Sequence, residues 1–281
     1  MNTGRKLYNQ TCRQLSERIT KNYSTSFSAG IMAFAPVHRD PIYAIYGFVR
    51  FADEIVDTFH DDDQELLMLE FRADTKKAIS RGISLNPVLH AFQEVVNRYN
   101  IDPSLIHAFL DSMAMDLNYN EHEQESYEKY IYGSAEVVGL MCLKVWCDKD
   151  EATYRELTPE GRALGAAFQK INFLRDIKDD FENRGRNYFP GVDFKNFTIE
   201  DKLRIESEIQ ADFDKALSGI KKLPKGVRLG VYIAYKYFYK LFLKIQKSNA
   251  ATLKEKRIRV NDGRKLMLFA TSTLRNQFNL L

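Results

Sequence analysis

Apolar residues return every three to four positions along most of the chain, and no segment sustains strict alternation with β-branched enrichment. The helical period therefore dominates. It predicts a polar-faced helix over 5–22, then a hydroxyl-rich break at YSTSFS (Tyr23–Ser28). A long helix follows from near Asp40, with Pro41 in its first turn, to about Phe59. The acidic triplet at 61–63 favours a helix start and opens an element over 64–81. Asn86-Pro87 starts a helix that runs to about Tyr99, and Asp102-Pro103 starts one over 103–117, each with a capping side chain before proline. Further helical patterns cover 125–147, 159–183, 198–219, 224–248 and 261–279. Glycine and proline in RGRNYFPGVDF (184–194) make that stretch a loop. Without a linker, a repeat or a low-complexity tract, the pattern predicts an all-α fold in one domain over residues 1–281.

Composition agrees with this pattern. The chain is 44% hydrophobic and 12% aromatic, enough for a large core, while Gly (14) and Pro (7) are too few for a turn-rich fold. A net charge of +3, from 41 basic and 38 acidic residues, is too balanced to suggest nucleic-acid binding. The N-terminus has no apolar signal-peptide core, and no apolar run approaches the length of a membrane span. Cys12, Cys142 and Cys147 form no CxxC and read as reduced packing thiols of a cytosolic protein. The expectation is a cytoplasmic protein, in contact with a membrane surface at most; the oligomeric state is not legible.

Two polar stripes interrupt otherwise apolar helices. On a helix, Tyr46, Arg50, Asp53 and Asp57 fall within roughly 60° of one another, and Gln169, Asn172, Asp176 and Asp180 within about 80°. One such stripe reads as a solvated face. Two of them, each carrying aspartates that are poor interior helix formers, call for another explanation, because a face built for solvation more often uses Glu and Lys four apart. Facing carboxylates across a helical bundle make an oxygen-rich site for a hard cation. Magnesium suits it, since the ion takes one or two carboxylates and completes its shell with water and phosphate oxygens. Arg50 adds a planar fork for those oxygens. A carboxylate-bridged di-iron bundle is the rival, but no histidine has a Glu three residues before it.

With these motifs in place, the chain resembles the squalene/phytoene synthases, the head-to-head trans-prenyltransferases, over nearly its whole length. The resemblance is carried by YSTSF (23–27), YAIYGFVRFADEIVD (43–57) and FQKINFLRDIKDDFENRGRNYFP (168–190), in the family's order and separation. It implies an all-α isoprenoid-synthase bundle around a central cavity that takes two allylic diphosphates with Mg²⁺, or Mn²⁺ in its place. On the family pattern Asp53, Asp57, Asp176 and Asp180 hold the metals with Asn172 as a further ligand. Arg50, Gln169, Arg175, Tyr46 and the Tyr23–Ser24–Thr25–Ser26 run match substrate positions. Phe27, Tyr46, Tyr130, Tyr188 and Tyr239 match aromatic ones, with Tyr130 the candidate for polarity near the diphosphate. As single residues these aromatics read as core before they read as catalytic. Lys265 stands where the family often has a basic residue, and also reads as a solvated lysine. Glu136 stands where a glycine is common, which puts the depth of the pocket in question.

The implied reaction ionises one substrate, captures the allylic cation as a cyclopropylcarbinyl diphosphate, then ionises and rearranges that intermediate. The match to the short bacterial carotenoid branch favours phytoene synthase acting on two geranylgeranyl diphosphates, with NADPH not expected. Dehydrosqualene or squalene synthase, acting on farnesyl diphosphate, is the alternative. An assembly factor that has lost its aspartates is a third reading, against which the intact aspartates stand. The segment 231–247, with Lys236, Lys240, Lys244 and Lys247 at helical spacing, is the nearest candidate for membrane-surface contact; it also reads as a bundle helix with one wet face.

Overall fold

Helix boundaries follow local capping wherever the cap is strong. The computed structural model describes residues 3–118, 123–255 and Ile258, and these form helices joined by loops, with no sheet among the described residues. Helix α1 (Thr3–Tyr23) meets α2 (Thr25–Met32) across Ser24 alone. The hydroxyl run is therefore a cap rather than a broad break: Ser24 Oγ accepts from the Phe27 amide at 3.2 Å. Helix α4 (Gln64–Arg81) starts where Asp63 Oδ1 accepts from the Leu66 amide at 3.0 Å, and ends at Gly82 with φ of 64°. Helices α5 (Pro87–Tyr99) and α6 (Pro103–Asn118) begin at the two expected prolines.

Elsewhere the boundaries move. Helix α3 (Pro36–Asp57) begins at Pro36, not near Asp40, because Pro36 takes the first helical position and Pro41 is accommodated inside the helix. The cost is one hydrogen bond, to the carbonyl of Val37, close to the helix start. Helix α9 (Glu151–Arg184) likewise starts earlier than Pro159, at an Asp150 cap that accepts from the Thr153 amide at 3.0 Å. The expected helix over 125–147 is α7 (Gln124–Ile131), a π-turn at Tyr132–Glu136, and α8 (Val137–Cys147). Crowding accompanies this widening. A Cβ on Gly133 would lie 2.4 Å from the Ala108 carbonyl oxygen, and one on Gly165 of α9 would lie 2.6 Å from that of Ala135. Helices α10 (Ile199–Lys222) and α11 (Lys225–Gln246) agree with expectation, and a short α12 (Ala250–Glu255) was not expected. The helix expected over 261–279, and with it Lys265, lies outside the described residues.

Helix α9 packs against α8, α10 and the π-turn, while α1, α3 and α5 form a second packed group. The rear face of α3 anchors that group. Phe48 stacks on Phe92 with ring centroids 3.9 Å apart and planes 1° off parallel, and meets Phe109 at 5.4 Å. Buried side chains of α11, among them Tyr232, Phe238, Leu241 and Phe242, make it a bundle helix with a lysine-bearing outer face. No described helix is long and apolar enough to cross a membrane.

Because Phe92 is wholly buried in this stack, Phe92→Ala should lower unfolding free energy by roughly 3–5 kcal/mol. A shift of the urea midpoint at unchanged m-value would register it; a loss under 1 kcal/mol would show that the stack does not organise the core.

Candidate active site

A cavity of about 620 Å³ opens between α2, α3, α6, the π-turn with α8, α9, α10 and α11. Its lining changes character along the helices. On α3 it runs from Ile42 and Ile45 through Tyr46 to Arg50, Asp53 and Asp57, and on α9 from Leu157 and Leu164 through Phe168 to Asn172, Asp176 and Asp180. At 1.5 Å per residue the Ile42–Asp57 strip alone spans about 22 Å. The polar ends of the two helices meet, since Arg186, just beyond α9, bonds Asp57 Oδ1 of α3 at 3.0 Å. A deep chamber, apolar but for Glu160 on α9, therefore gathers its other charges at one end.

Among the described side chains, three guanidinium groups hold that end together. Arg50 lies 4.4 Å from the Tyr23 ring centroid, pairs with Asp53 at 3.4 Å and with Glu54, and keeps a buried Nε without a partner. Arg175 grips its neighbour Asp176 with two bonds, Nε to Oδ1 at 2.9 Å and Nη2 to Oδ2 at 2.5 Å. Burial disfavours the Arg175 charge, but the bonded Asp176 outweighs it and the arginine pKa rises. Arg186 is placed by chain reversal at Gly185 (φ of 65°), where its amide donates to the Asp180 carbonyl at 2.8 Å.

Asp116 on α6 also lines the cavity, more deeply buried than Asp57. It accepts from the Tyr130 hydroxyl at 2.7 Å and from the Tyr188 hydroxyl at 3.2 Å, with Arg186 Nη1 at 3.8 Å. Burial pushes its carboxyl up to about 6, against the opposing pull of Arg186 and Tyr130. Burial also raises the Tyr130 and Tyr188 hydroxyls, and the nearby Asp116 anion adds to this. Tyr188 stacks on Phe173 at 3.9 Å and meets Tyr130 at 5.2 Å, so an aromatic wall adjoins the charges. Tyr46, whose hydroxyl burial likewise raises, faces Phe27 at 5.8 Å.

Of the residues expected from sequence, Tyr23, Ser24, Ser26, Phe27, Tyr46, Arg50, Asp53, Asp57, Tyr130, Gln169, Asn172, Arg175, Asp176, Asp180 and Tyr188 all line the cavity. Thr25 is exposed and does not line it. Tyr239 does not either: it packs edge-on to Phe213 at 5.2 Å and stacks on Tyr235 at 5.7 Å, while Tyr237 lines the cavity beside Arg175. Glu136 turns from the cavity to pair with Arg162, so the residue in the glycine position does not fill the pocket. Close approach to α9 rests instead on Gly139 of α8, whose Cβ would lie 2.9 Å from the Gly161 carbonyl oxygen, and on Gly165, which meets the π-turn at Ala135. Asp116 and Arg186 escaped the sequence reading. The lone acid in the apolar run MAMDL (113–117) and the arginine between Gly185 and Tyr188 were the available signals.

The acids of the polar end offer carboxylate oxygens from facing helices, with the Asn172 amide beside them. No three His, Cys, Asp or Glu among the described residues converge on one ion-sized point. This donor set fits a hard cation that fills its shell with water and phosphate oxygens.

A family model described as squalene/phytoene synthase matches residues 20–264. The chain is 28% identical to the 15-cis-phytoene synthase of Synechococcus elongatus, over 95% of this chain and 92% of that one. It is 26% identical to the 4,4'-diapophytoene synthase of Staphylococcus haemolyticus, over 71% and 68%. In three dimensions it is similar to a dehydrosqualene synthase solved with a ligand, with a TM-score of 0.81, 18% identity and coverage of 96% of this chain and 98% of that one.

The raised Asp116 carboxyl makes a signed prediction. Its charge costs stability as pH rises from its ordinary value of 3.8 through about 6. Compared with Asp116→Asn, the protein should therefore lose roughly 3 kcal/mol between pH 3.5 and 7. Paired urea titrations across that range would show a flat difference if the carboxyl titrated normally.

Proposed function

The chain belongs to the squalene/phytoene synthase family, and from that premise we propose that it is a phytoene synthase, condensing two geranylgeranyl diphosphates head to head. The observation that carries this reading is the meeting of two aspartate motifs at the charged end of one long apolar cavity. Diphosphates suit the charged end and prenyl chains the chamber. Similarity to phytoene synthases along almost the whole chain supports the C20 substrate. The diapophytoene and dehydrosqualene synthases among the similar proteins keep farnesyl diphosphate as the second reading. An assembly role without catalysis is disfavoured, because Asp53, Asp57, Asp176 and Asp180 are all present.

Asp53, Asp57, Asp176, Asp180 and Asn172 would hold Mg²⁺ or Mn²⁺. Bound there, the ion supplies charge neutralisation to a departing diphosphate. The chain's own groups do the remainder. Arg50, which lines the charged end, supplies a guanidinium for phosphate oxygens, and Arg175 orients Asp176 while adding positive charge. Tyr46, Phe168, Phe173 and Tyr188 line the cavity with π-faces that stabilise allylic cations. The apolar walls exclude the water that would quench them. Tyr130 keeps its hydroxyl proton directed at Asp116 Oδ2, beside the cavity. Loss of a proton from the rearranged cation yields a triene without a hydride donor, so NADPH is not required.

Purified protein with geranylgeranyl diphosphate and Mg²⁺, without NADPH, should release diphosphate and form a C40 hydrocarbon; farnesyl diphosphate should be the poorer substrate. Diphosphate release from neither substrate would remove the enzymatic reading, and a preference for farnesyl diphosphate would select the second one. Asp176→Asn should lower kcat by at least about a hundredfold, more than the usual effect of residues merely supporting a metal ligand. A wild-type rate would refute its assignment.

A further inference from the structure

A single guanidinium nitrogen is shared by two carboxylates from different helices. Arg186 Nη1 lies 3.0 Å from Asp57 Oδ1 on α3 and 3.8 Å from Asp116 Oδ1 on α6. Its Nη2 donates to the Val56 carbonyl at 3.2 Å, and Nη1 reaches the Tyr188 hydroxyl at 3.4 Å. The two acids differ in setting: the Asp116 side chain is 5% exposed and that of Asp57 is 21% exposed. Both acids line the cavity, Asp57 the more exposed and Asp116 the more deeply buried, and the arginine spans both. A divalent cation engaging Asp57 competes with Arg186 for that carboxylate and repels the guanidinium. Asp116 is the nearby anion that can receive it, at ion-pair distance already.

We propose that Asp116 is a positioning residue for the divalent-cation site, taking over Arg186 when a cation engages Asp57. This rests on the metal site proposed above. Without the Asp116 charge, Arg186 keeps Asp57 as the remaining carboxylate of those two, and a cation on Asp57 must displace it without Asp116 to receive it. The linkage is reciprocal: a cation on Asp57 tightens the Arg186–Asp116 pair by the same factor that Asp116 tightens cation binding. The Tyr130 and Tyr188 hydrogen bonds do not carry this effect, because an amide oxygen in place of the carboxylate can still accept one of them.

The test titrates the full-length protein with Mn²⁺ alone, counting free ion by electron paramagnetic resonance. Asp116→Asn should weaken Mn²⁺ binding on the order of tenfold, and Asp116→Glu, which keeps the charge, should recover most of it. In an Arg186→Gln background the Asn substitution should have no further effect, since the competing guanidinium is gone. Tyr130→Phe should leave Mn²⁺ affinity within about twofold, separating charge from hydrogen bonding. In the unaltered protein, Mg²⁺ should shift the Arg186 side-chain nitrogen resonance with the dissociation constant of the ion, a readout that survives any folding defect in the variants. Unchanged Mn²⁺ affinity in the Asn variant, an undiminished effect in the Arg186→Gln background, or an unmoved Arg186 resonance would each overturn the inference alone. An unaltered protein that binds neither ion would overturn the metal site and this inference together.

Discussion

Charges placed at one end of an apolar bundle must be compensated there, and this requirement organises the polar end of the cavity. Isolated in a low-dielectric interior, an aspartate or arginine loses several kcal/mol of solvation, so each is retained only beside a partner. Arg50 with Asp53 and Glu54, Arg175 with Asp176, and Arg186 with Asp57 and Asp116 satisfy that condition. The pairs also hold aspartates facing the cavity, where the diphosphate and counter-ions proposed above would meet groups already in position. Compensation is incomplete at Asp116, whose carboxyl remains shifted upward by burial despite its neighbours.

The chamber behind this end depends on close backbone approach. Glycines on α8, α9 and the π-turn let helices pack where a methyl group would strike a carbonyl oxygen, as Gly133 does against Ala108 and Gly165 against Ala135. The π-turn lies between these contacts and precedes the face that presents Val138 and Gly139 to the cavity. Glu136 is tolerated in this crowded region because its side chain leaves toward Arg162. Cavity shape is thus set by backbone spacing as well as by side-chain size, which a comparison of side chains alone would miss.

What the chain determined by itself is local. Caps at Asp63 and Asn86 mark α4 and α5 because a side-chain oxygen two or three residues away satisfies the first amides. The aspartate stripes were legible because helical spacing alone puts their members on one face. Pro36 and Pro41 show where such rules blur: either proline suits a first turn, and the structure begins at the earlier one.

Tertiary structure decided what depends on rotation and on distant partners. Helix α11 carries aromatic residues on several sides, so whether Tyr237 or Tyr239 faces the cavity depends on how the helix turns against its neighbours. The π-turn forms where α6 and α9 crowd the backbone, contacts that no local window contains. Asp116 offers no periodic signal and Arg186 sits in a loop; they acquire meaning only when folding sets one guanidinium between acids of α3 and α6. Periodicity and capping are properties of neighbours along the chain, whereas charge compensation in a low-dielectric interior acts between whatever groups the fold brings together.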